Sequence, residues 1–320
     1  MQRMSHLDAA RFLQGVGNLD GARASLDMAA AESPDDPSVK LARAALGTEF
    51  LMCGRYVDGW PLIEARIGLR PDLVPPIRAP YPEWKGEDLA GNSIFVWVEQ
   101  GIGDQIMLAR FGRELANRGA RVTLACNPSL EALFKTVPGV ADVIPVPAGG
   151  NVAVPRHDYW TRYFSLPGHI GATVENLPGA PYVRAIAGIP SDHRVGFFWK
   201  SSPTGTMASV KSIPDDEARI LVEEGALCLH PDATGARNFA ETASIVDGLD
   251  LVVSVDTAVA HLAGAMGKPV WVLLPQAADW RWLRDRADSP WYPSARLFRQ
   301  SAPGDWASVL DAVRRELKDL

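Results

Sequence analysis

Residues 249–275 read LDLVVSVDTAVAHLAGAMGKPVWVLLP. The two ends, LDLVVSV and PVWVLLP, are short, β-branched and almost wholly apolar, as strands buried on both faces of a parallel sheet are. Between them Val259, Leu262, Ala263 and Met266 recur at helical spacing. Asp256 or Thr257 can cap that helix. The stretch is therefore strand, sharp turn, helix, strand. The helix places its free backbone N–H groups and positive dipole end at the carboxyl edge of the sheet, where a phosphate is readily held.

The same alternation extends to both sides. Upstream, residues 93–98 form a buried strand, 99–104 (EQGIGD) a turn, 105–118 a helix, 121–126 a strand, 129–137 a helix and 141–146 a strand. Residues 151–181 are less regular and supply another strand and a short helix. The pattern restarts with a strand at 194–199, a helix at 215–224, a strand at 226–230 and a helix at 238–248. After Pro275 comes an aromatic and arginine-dense stretch, then a last helix at 306–317. This alternation predicts an α/β fold with parallel sheets, in two halves with a cleft between them.

Residues 1–70 carry no β-rich run and read as helical. Gly17-Asn18-Leu19-Asp20-Gly21 is echoed by Gly54-Arg55-Tyr56-Val57-Asp58-Gly59. Gly17, Ala22, Ala29 and Pro34 sit where a tetratricopeptide repeat places its small residues and its terminal proline. One and a half degenerate repeats, or a plain helical hairpin, both fit. Residues 71–84 are proline-rich and read as an extended linker.

Composition bounds the function. Of the 320 residues, 47% are hydrophobic and 22% charged, which is ordinary for a soluble globular protein. The net charge of −6 and the lack of a basic block argue against nucleic-acid binding. No apolar run is long enough to span a bilayer, and MQRMSHLDAARFL has no signal core, so a cytoplasmic, non-transmembrane chain is expected. Cys53, Cys126 and Cys228 are far apart and read as reduced core thiols. The six histidines show no metal-ligand spacing, no Asp-x-Asp occurs, and no GxSxG elbow exists, so no metal site is expected.

Four clusters could carry chemistry. In Glu99–Asp104 the glycines Gly101 and Gly103 permit close approach of backbone to a ligand. Asp104 there is either a helix cap or a general base. The cluster lacks the third glycine of a dinucleotide fingerprint and the GK[ST] of a P-loop. Residues 200–214 (KSSPTGTMASVKSIP) form a hydroxyl-rich loop with Lys200 and Lys211 that could wrap phosphates, or a plain polar loop. In the turn Asp256-Thr257-Ala258, Asp256 caps the helix or accepts from ligand hydroxyls, while Thr257 and the next amides face phosphates. His261 is a packed helix histidine or a contact. Residues 279–293 concentrate Trp280, Trp282 and Trp291 with arginines, for stacking on bases and sugars or for packing.

The segments WVEQGIGDQIMLARF (97–111), SVDTAVAHLAGAMGKPVWVLLP (254–275) and DWRWLRDRADSPWYPSARLFRQ (279–300), in that order, resemble bacterial tetratricopeptide-repeat proteins ending in a domain similar to glycosyltransferase family 9, the ADP-heptose:lipopolysaccharide heptosyltransferases. The resemblance implies a GT-B-like pair of Rossmann-like domains preceded by a short helical segment. Its divisions are 1–70 (helical), 71–185 (acceptor half), 186–302 (nucleotide-sugar half) and 303–320 (a helix packing back towards the N-terminal lobe). It implies Asp104 as the base, Lys211 on the donor phosphates, and Asp256, Thr257, Ala258 and His261 around donor sugar and phosphates, with Ala258 replacing a glycine. The acidic residue for the donor ribose is Asp232 or Glu241, and Trp280 is a candidate base contact. The implied activity is inverting, metal-independent transfer from a nucleotide-diphosphate sugar, with no cofactor, to a glycan or protein acceptor that the helical segment could recruit. The alternatives are a catalytically inactive scaffold and a nucleotide-sugar hydrolase or epimerase.

Overall fold

The computed structural model describes residues 4–71, 73–74, 76–147, 152–202 and 207–318. It opens with four helices, α1 (His6–Gly15), α2 (Leu19–Glu32), α3 (Pro37–Met52) and α4 (Tyr56–Ile63). Ser5, Asn18 and Asp36 cap the first three by accepting the N–H groups of Asp8, Gly21 and Ser38. Ala10, Ala22, Leu26, Leu46, Phe50 and Leu62 close a small core between them. Two glycines let α3 and α4 approach: a Cβ on Gly47 would lie 3.0 Å from the Gly59 carbonyl oxygen. The echoed segments are joined by charge, with Arg55 2.7 Å from both Asp20 and Asp58. Helices fill most of the stretch from His6 to Arg66.

The first half of the α/β region contains β1 (Ser93–Trp97), α5 (Ile102–Leu108), α6 (Arg110–Asn117), β2 (Arg121–Cys126), α7 (Glu131–Phe134), β3 (Val140–Pro145) and β4 (Tyr159–Arg162). The sheet order is β3-β2-β1-β4, parallel throughout. The single helix expected over 105–118 is two. The Met107 carbonyl accepts from the Arg110 side chain, and Gly112 N–H bonds back only three residues to Ala109, which tightens the turn between α5 and α6. Helix α8 (Leu166–Ile170) follows.

The second half contains β5 (Val195–Phe198), α9 (Ala208–Lys211), α10 (Asp215–Glu223), β6 (Leu227–Cys228), α11 (Pro231–Thr234), α12 (Phe239–Asp247), β7 (Leu251–Val255), α13 (Ala258–Ala265), β8 (Val270–Leu274), β9 (Ala295–Arg299) and α14 (Trp306–Leu317). Its order, β6-β5-β7-β8-β9, is again parallel. Strand β9 is an addition to the expected elements. Of the 200–214 loop, residues 203–206 lie outside the described residues, as do residues 1–3 and 151.

By packing, the chain divides into two units. One joins Met1–Pro80 with Phe164–Leu177 and Asp279–Arg284, and the other holds both sheets. The short segments join the helices through specific contacts: the Ser165 hydroxyl bonds Glu64 at 2.9 Å, and Trp280 meets Trp60 edge-on at 5.5 Å. The last helix also departs from expectation. The apolar face of α14 (Trp306, Val309, Leu310, Val313) packs against Phe197, Leu221, Val253 and Leu273 of its own half, and Arg314 pairs with Glu224. It covers the second sheet and does not pack back towards the N-terminal lobe. Of the three thiols read as core, Cys126 is buried, Cys228 half-buried and Cys53 exposed.

Candidate functional site

Strand β1 ends at Trp97, and the chain turns through Gln100, whose φ of 63° is left-handed, into the N-cap Gly101. The first helical turn brings the Asp104 carboxylate back to accept the Gly101 N–H at 3.0 Å. Asp104 thus caps α5 and stays half-buried at the carboxyl edge of the first sheet. Behind it, buried Gln105 accepts the Asn127 N–H at 2.7 Å, tying this turn to the end of β2.

Strand β7 ends at Val255 and the chain enters α13 with Thr257 as N-cap. The Thr257 side chain makes no cap bond, so the amides of the first turn keep their outward direction. The Ser254 hydroxyl donates to the Val255 carbonyl at 2.8 Å and lies 3.2 Å from the Thr257 hydroxyl. Ser254 has a single proton, so Thr257 is the donor of that second bond. An anion at this turn is met by backbone amides before hydroxyls.

The two turns come together. A Cβ on Gly103 would lie 2.8 Å from Cδ2 of His261 and 3.5 Å from Cα of Ala258. Only a glycine permits this approach of α5 to α13. Lys211, the last residue of α9, joins the same place: its Nζ is 2.6 Å from Oδ2 of Asp256. Nε2 of His261 lies 3.8 Å from the other oxygen, Oδ1. The Asp256 side chain is 5% exposed and that of Lys211 18%, so this pair is largely withdrawn from water. Lys211 thus engages one oxygen of Asp256, and the His261 ring lies beside the other. Lys200 instead pairs with Asp215 at 2.8 Å.

Gly101, Gly103, Asp104, Lys211, Asp256, Thr257, Ala258 and His261 thus share one neighbourhood. Three other candidates do not. Trp280, the candidate base contact, is 6% exposed and packs with Trp60, Phe164 and the Arg281 guanidinium in the helical unit. Asp232 projects into solvent at the start of α11, 92% exposed. Glu241 is engaged by Arg237 at 2.8 Å and by Asn238 at 3.1 Å. The Arg237 hydrogen bond holds its carboxyl below the usual glutamate range. Among the described residues no group of three or more His, Cys, Asp or Glu is placed to hold a metal ion. No described helix is long and apolar enough to cross a membrane. An open cleft of about 610 Å³ lies to one side, lined by Ser129, Lys135, Thr136, Arg184 and Asn238, and it contains none of the eight clustered residues.

Sequence reasoning missed the layer beneath. Tyr292, 1% exposed, has its hydroxyl 2.9 Å from Nδ1 of His261. Arg110, also 1% exposed, donates to the carbonyls of Met107, Pro178 and Trp291 and to the Tyr182 hydroxyl. Its guanidinium lies 4.9 Å from the Tyr292 ring centroid. The density of arginines and aromatics over 279–293 was the visible signal, but it did not say which of them meet His261.

Comparison with known proteins adds the following. FlbA of Caulobacter vibrioides is 26% identical over 356 residues, covering 95% of this chain and 59% of FlbA, so the chain spans about three fifths of that relative's length. The crystal structure of the glycosyl transferase family 9 protein of Veillonella parvula is similar with a TM-score of 0.50 at 11% identity, over 72% of this chain and 92% of that one. This likeness places the two parallel sheets in a GT-B-like α/β fold. The model of Glycosyltransferase family 9 (heptosyltransferase) matches residues 214–282. The stretch that resembles glycosyltransferase family 9 (heptosyltransferase) includes the Asp256–Thr257 turn and His261.

Proposed function

We propose that the α/β unit is a glycosyltransferase that moves a sugar from a nucleotide-diphosphate donor to an acceptor hydroxyl, with inversion and without a metal or cofactor. One observation carries the reading: the Gly103-Asp104 turn of the first sheet sits against the Asp256–His261 turn of the second, with Lys211 at the same point. The family 9 match over residues 214–282 supports it, because that segment supplies the second turn. The donor diphosphate would rest on the first-turn amides of α13 and draw the Lys211 ammonium from Asp256. The acceptor oxygen attacks the anomeric carbon from the side opposite the diphosphate. The bond from that carbon to the phosphate oxygen breaks, the nucleoside diphosphate leaves with the electron pair, and the hydroxyl proton passes to the Asp104 carboxylate. The helical unit, read as a short tetratricopeptide-like array, would recruit a glycan or protein acceptor in the cytoplasm.

A second reading has its own support. Asp104 is engaged as a cap and Lys211 as a counter-ion, so both groups already serve the fold. In that reading the protein is a scaffold. Titration of the full chain with ADP, UDP and GDP separates the two, since absence of binding at millimolar concentration leaves only the scaffold. With a donor of the nucleotide that binds, Asp104→Asn tests the chemistry. Asparagine keeps an oxygen to accept the Gly101 N–H, so the cap survives and the base is lost. Transfer should fall by about 10²–10⁴-fold with donor affinity retained. Undiminished transfer would remove Asp104 from the mechanism.

A further inference from the structure

We infer that Arg110 is a positioning residue: its buried guanidinium ties α5 to α13 and so fixes where Asp104 stands relative to the Asp256–Thr257 turn. The tie follows from the buried contacts alone. Its effect on transfer rests on the donor-site reading proposed above.

Arg110 opens α6 and is 1% exposed. Its Nε donates to the Met107 carbonyl at 2.9 Å, near the end of α5 and about one helical turn beyond Asp104. Nη1 donates to the carbonyls of Pro178 at 2.9 Å and Trp291 at 2.6 Å, and Nη2 to the Tyr182 hydroxyl oxygen at 3.3 Å. The far ends of these bonds grip α13. The Tyr182 N–H donates to the Ala265 carbonyl at 3.0 Å. Tyr292, next to Trp291, lies against Gly264, where a Cβ would meet its ring carbons at 2.5 Å, and its hydroxyl is 2.9 Å from Nδ1 of His261. One side chain therefore joins the end of α5 to α13 at His261, Gly264 and Ala265.

Only an arginine can do this. The guanidinium spreads its donors along a rigid planar fork, whereas a lysine ammonium donates from a single nitrogen and cannot reach all four acceptors. Among the described residues no carboxylate pairs with Arg110. The rings of Tyr182, Trp291 and Tyr292 face the charge instead, with centroids 4.9, 5.1 and 4.9 Å from Cζ. At the other end of α5, Gly103 meets the His261 ring where an added Cβ would have only 2.8 Å to Cδ2. Helix α5 thus abuts α13 at its first turn and is tied to it at its last. Lys211, Thr257 and the first-turn amides of α13 all belong to the second half, and Asp104 belongs to the first. A loosened tie lets α5 draw off α13, which takes the base from the reacting carbon and leaves those donor contacts whole.

The test is chemical denaturation of the full chain carrying Gly103→Ala, Arg110→Lys or both. Arg110→Lys keeps a cation on an unbranched stem and removes the fork. With Arg110 in place α5 cannot retreat, and the methyl group of Gly103→Ala lowers the midpoint. With lysine there α5 can give way, so the same methyl group should lower the midpoint by about half as much or less. Equal falls in the two backgrounds overturn the inference. Should Arg110→Lys not fold, Gly103→Ala decides alone by amide hydrogen exchange. Residues 178–183 should then exchange faster together with 101–108, and unchanged protection of 178–183 overturns the tie. With a nucleotide sugar and acceptor that the protein turns over, Arg110→Lys should lower kcat by about 10- to 10²-fold and shift the donor KM by less than about twofold. A raised donor KM at unchanged kcat overturns the positioning role. Coupling between the two substitutions in a protein that binds no nucleoside diphosphate supports the tie and sinks the donor-site reading.

Discussion

Replacing Lys211 by methionine strips Asp256 of the ammonium at 2.6 Å and leaves a carboxylate that is 5% exposed, with His261 3.8 Å away. Removing one partner of a buried ion pair costs about 3–5 kcal/mol, mostly the penalty of the charge left behind. Lys211 keeps 18% of its side-chain surface, so water already screens part of the pair and the lower end, about 3 kcal/mol, applies. In a domain of this size that corresponds to a fall in Tm of about 6–12 °C. Asp256→Asn should cost less, about 1–2 kcal/mol, because the stranded ammonium sits on a flexible stem that can turn to solvent. The double variant should cost less than the two singles together, with a coupling of about 2 kcal/mol in chemical denaturation. A coupling below about 0.5 kcal/mol would refute the reasoning, since the two groups would then not depend on each other.

Gly103→Ala drives a methyl group against the His261 ring, whose Cδ2 would lie 2.8 Å away. The ring has little freedom to yield, so the substitution should cost about 1–3 kcal/mol in a denaturation experiment, and unaltered stability would show the turns are not in register as described. Burial pushes the Cys126 thiol up to about 12, with Glu131 adding to the effect. The unfolded thiol ionises near its ordinary value while the folded one stays protonated, so the unfolded state binds fewer protons and stability must fall as the pH rises from about 9 to about 12. Denaturation midpoints over that range should fall less steeply in Cys126→Val than in the parent. With a thiol reagent at pH 8, exposed Cys53 should label in the native protein and Cys126 only on unfolding.

The parallel sheets were legible because their central strands, such as β1 and β7, are short apolar runs with a helix between each pair. The edge strand β9 was not. Its sequence ARLFR sets two arginines among three apolar residues, which at single-sequence level looks like the arginine-rich loop before it. The periodicity of α14 announced an apolar face but not the surface it covers, and the partner proved to be the nearest sheet. At the site, sequence pattern marked the residues of both turns, while Lys211 was preferred to Lys200 only through the family resemblance. It could not show that Asp256 is neutralised by Lys211, because that pairing depends on how two loops end in space. Nor could it assign Trp280, whose ring is enclosed by Trp60 and Phe164 from distant parts of the chain.

Arg110 bears on how the chain is made. Its guanidinium ends among groups from three stretches: Met107, the 178–182 segment and the Trp291 carbonyl, the last separated from it by 181 residues. Arg110 leaves the ribosome 181 residues before Trp291 does. Until Trp291 has been made, an arginine destined for the interior therefore lacks one of its acceptors, and must stay hydrated. The first sheet can collect its own strands in that time, but the shell around Arg110 closes only once Trp291 has emerged. The wall behind the Asp256–Thr257 turn thus waits for Trp291, and a chain cut short before it should emerge with a loosened interior.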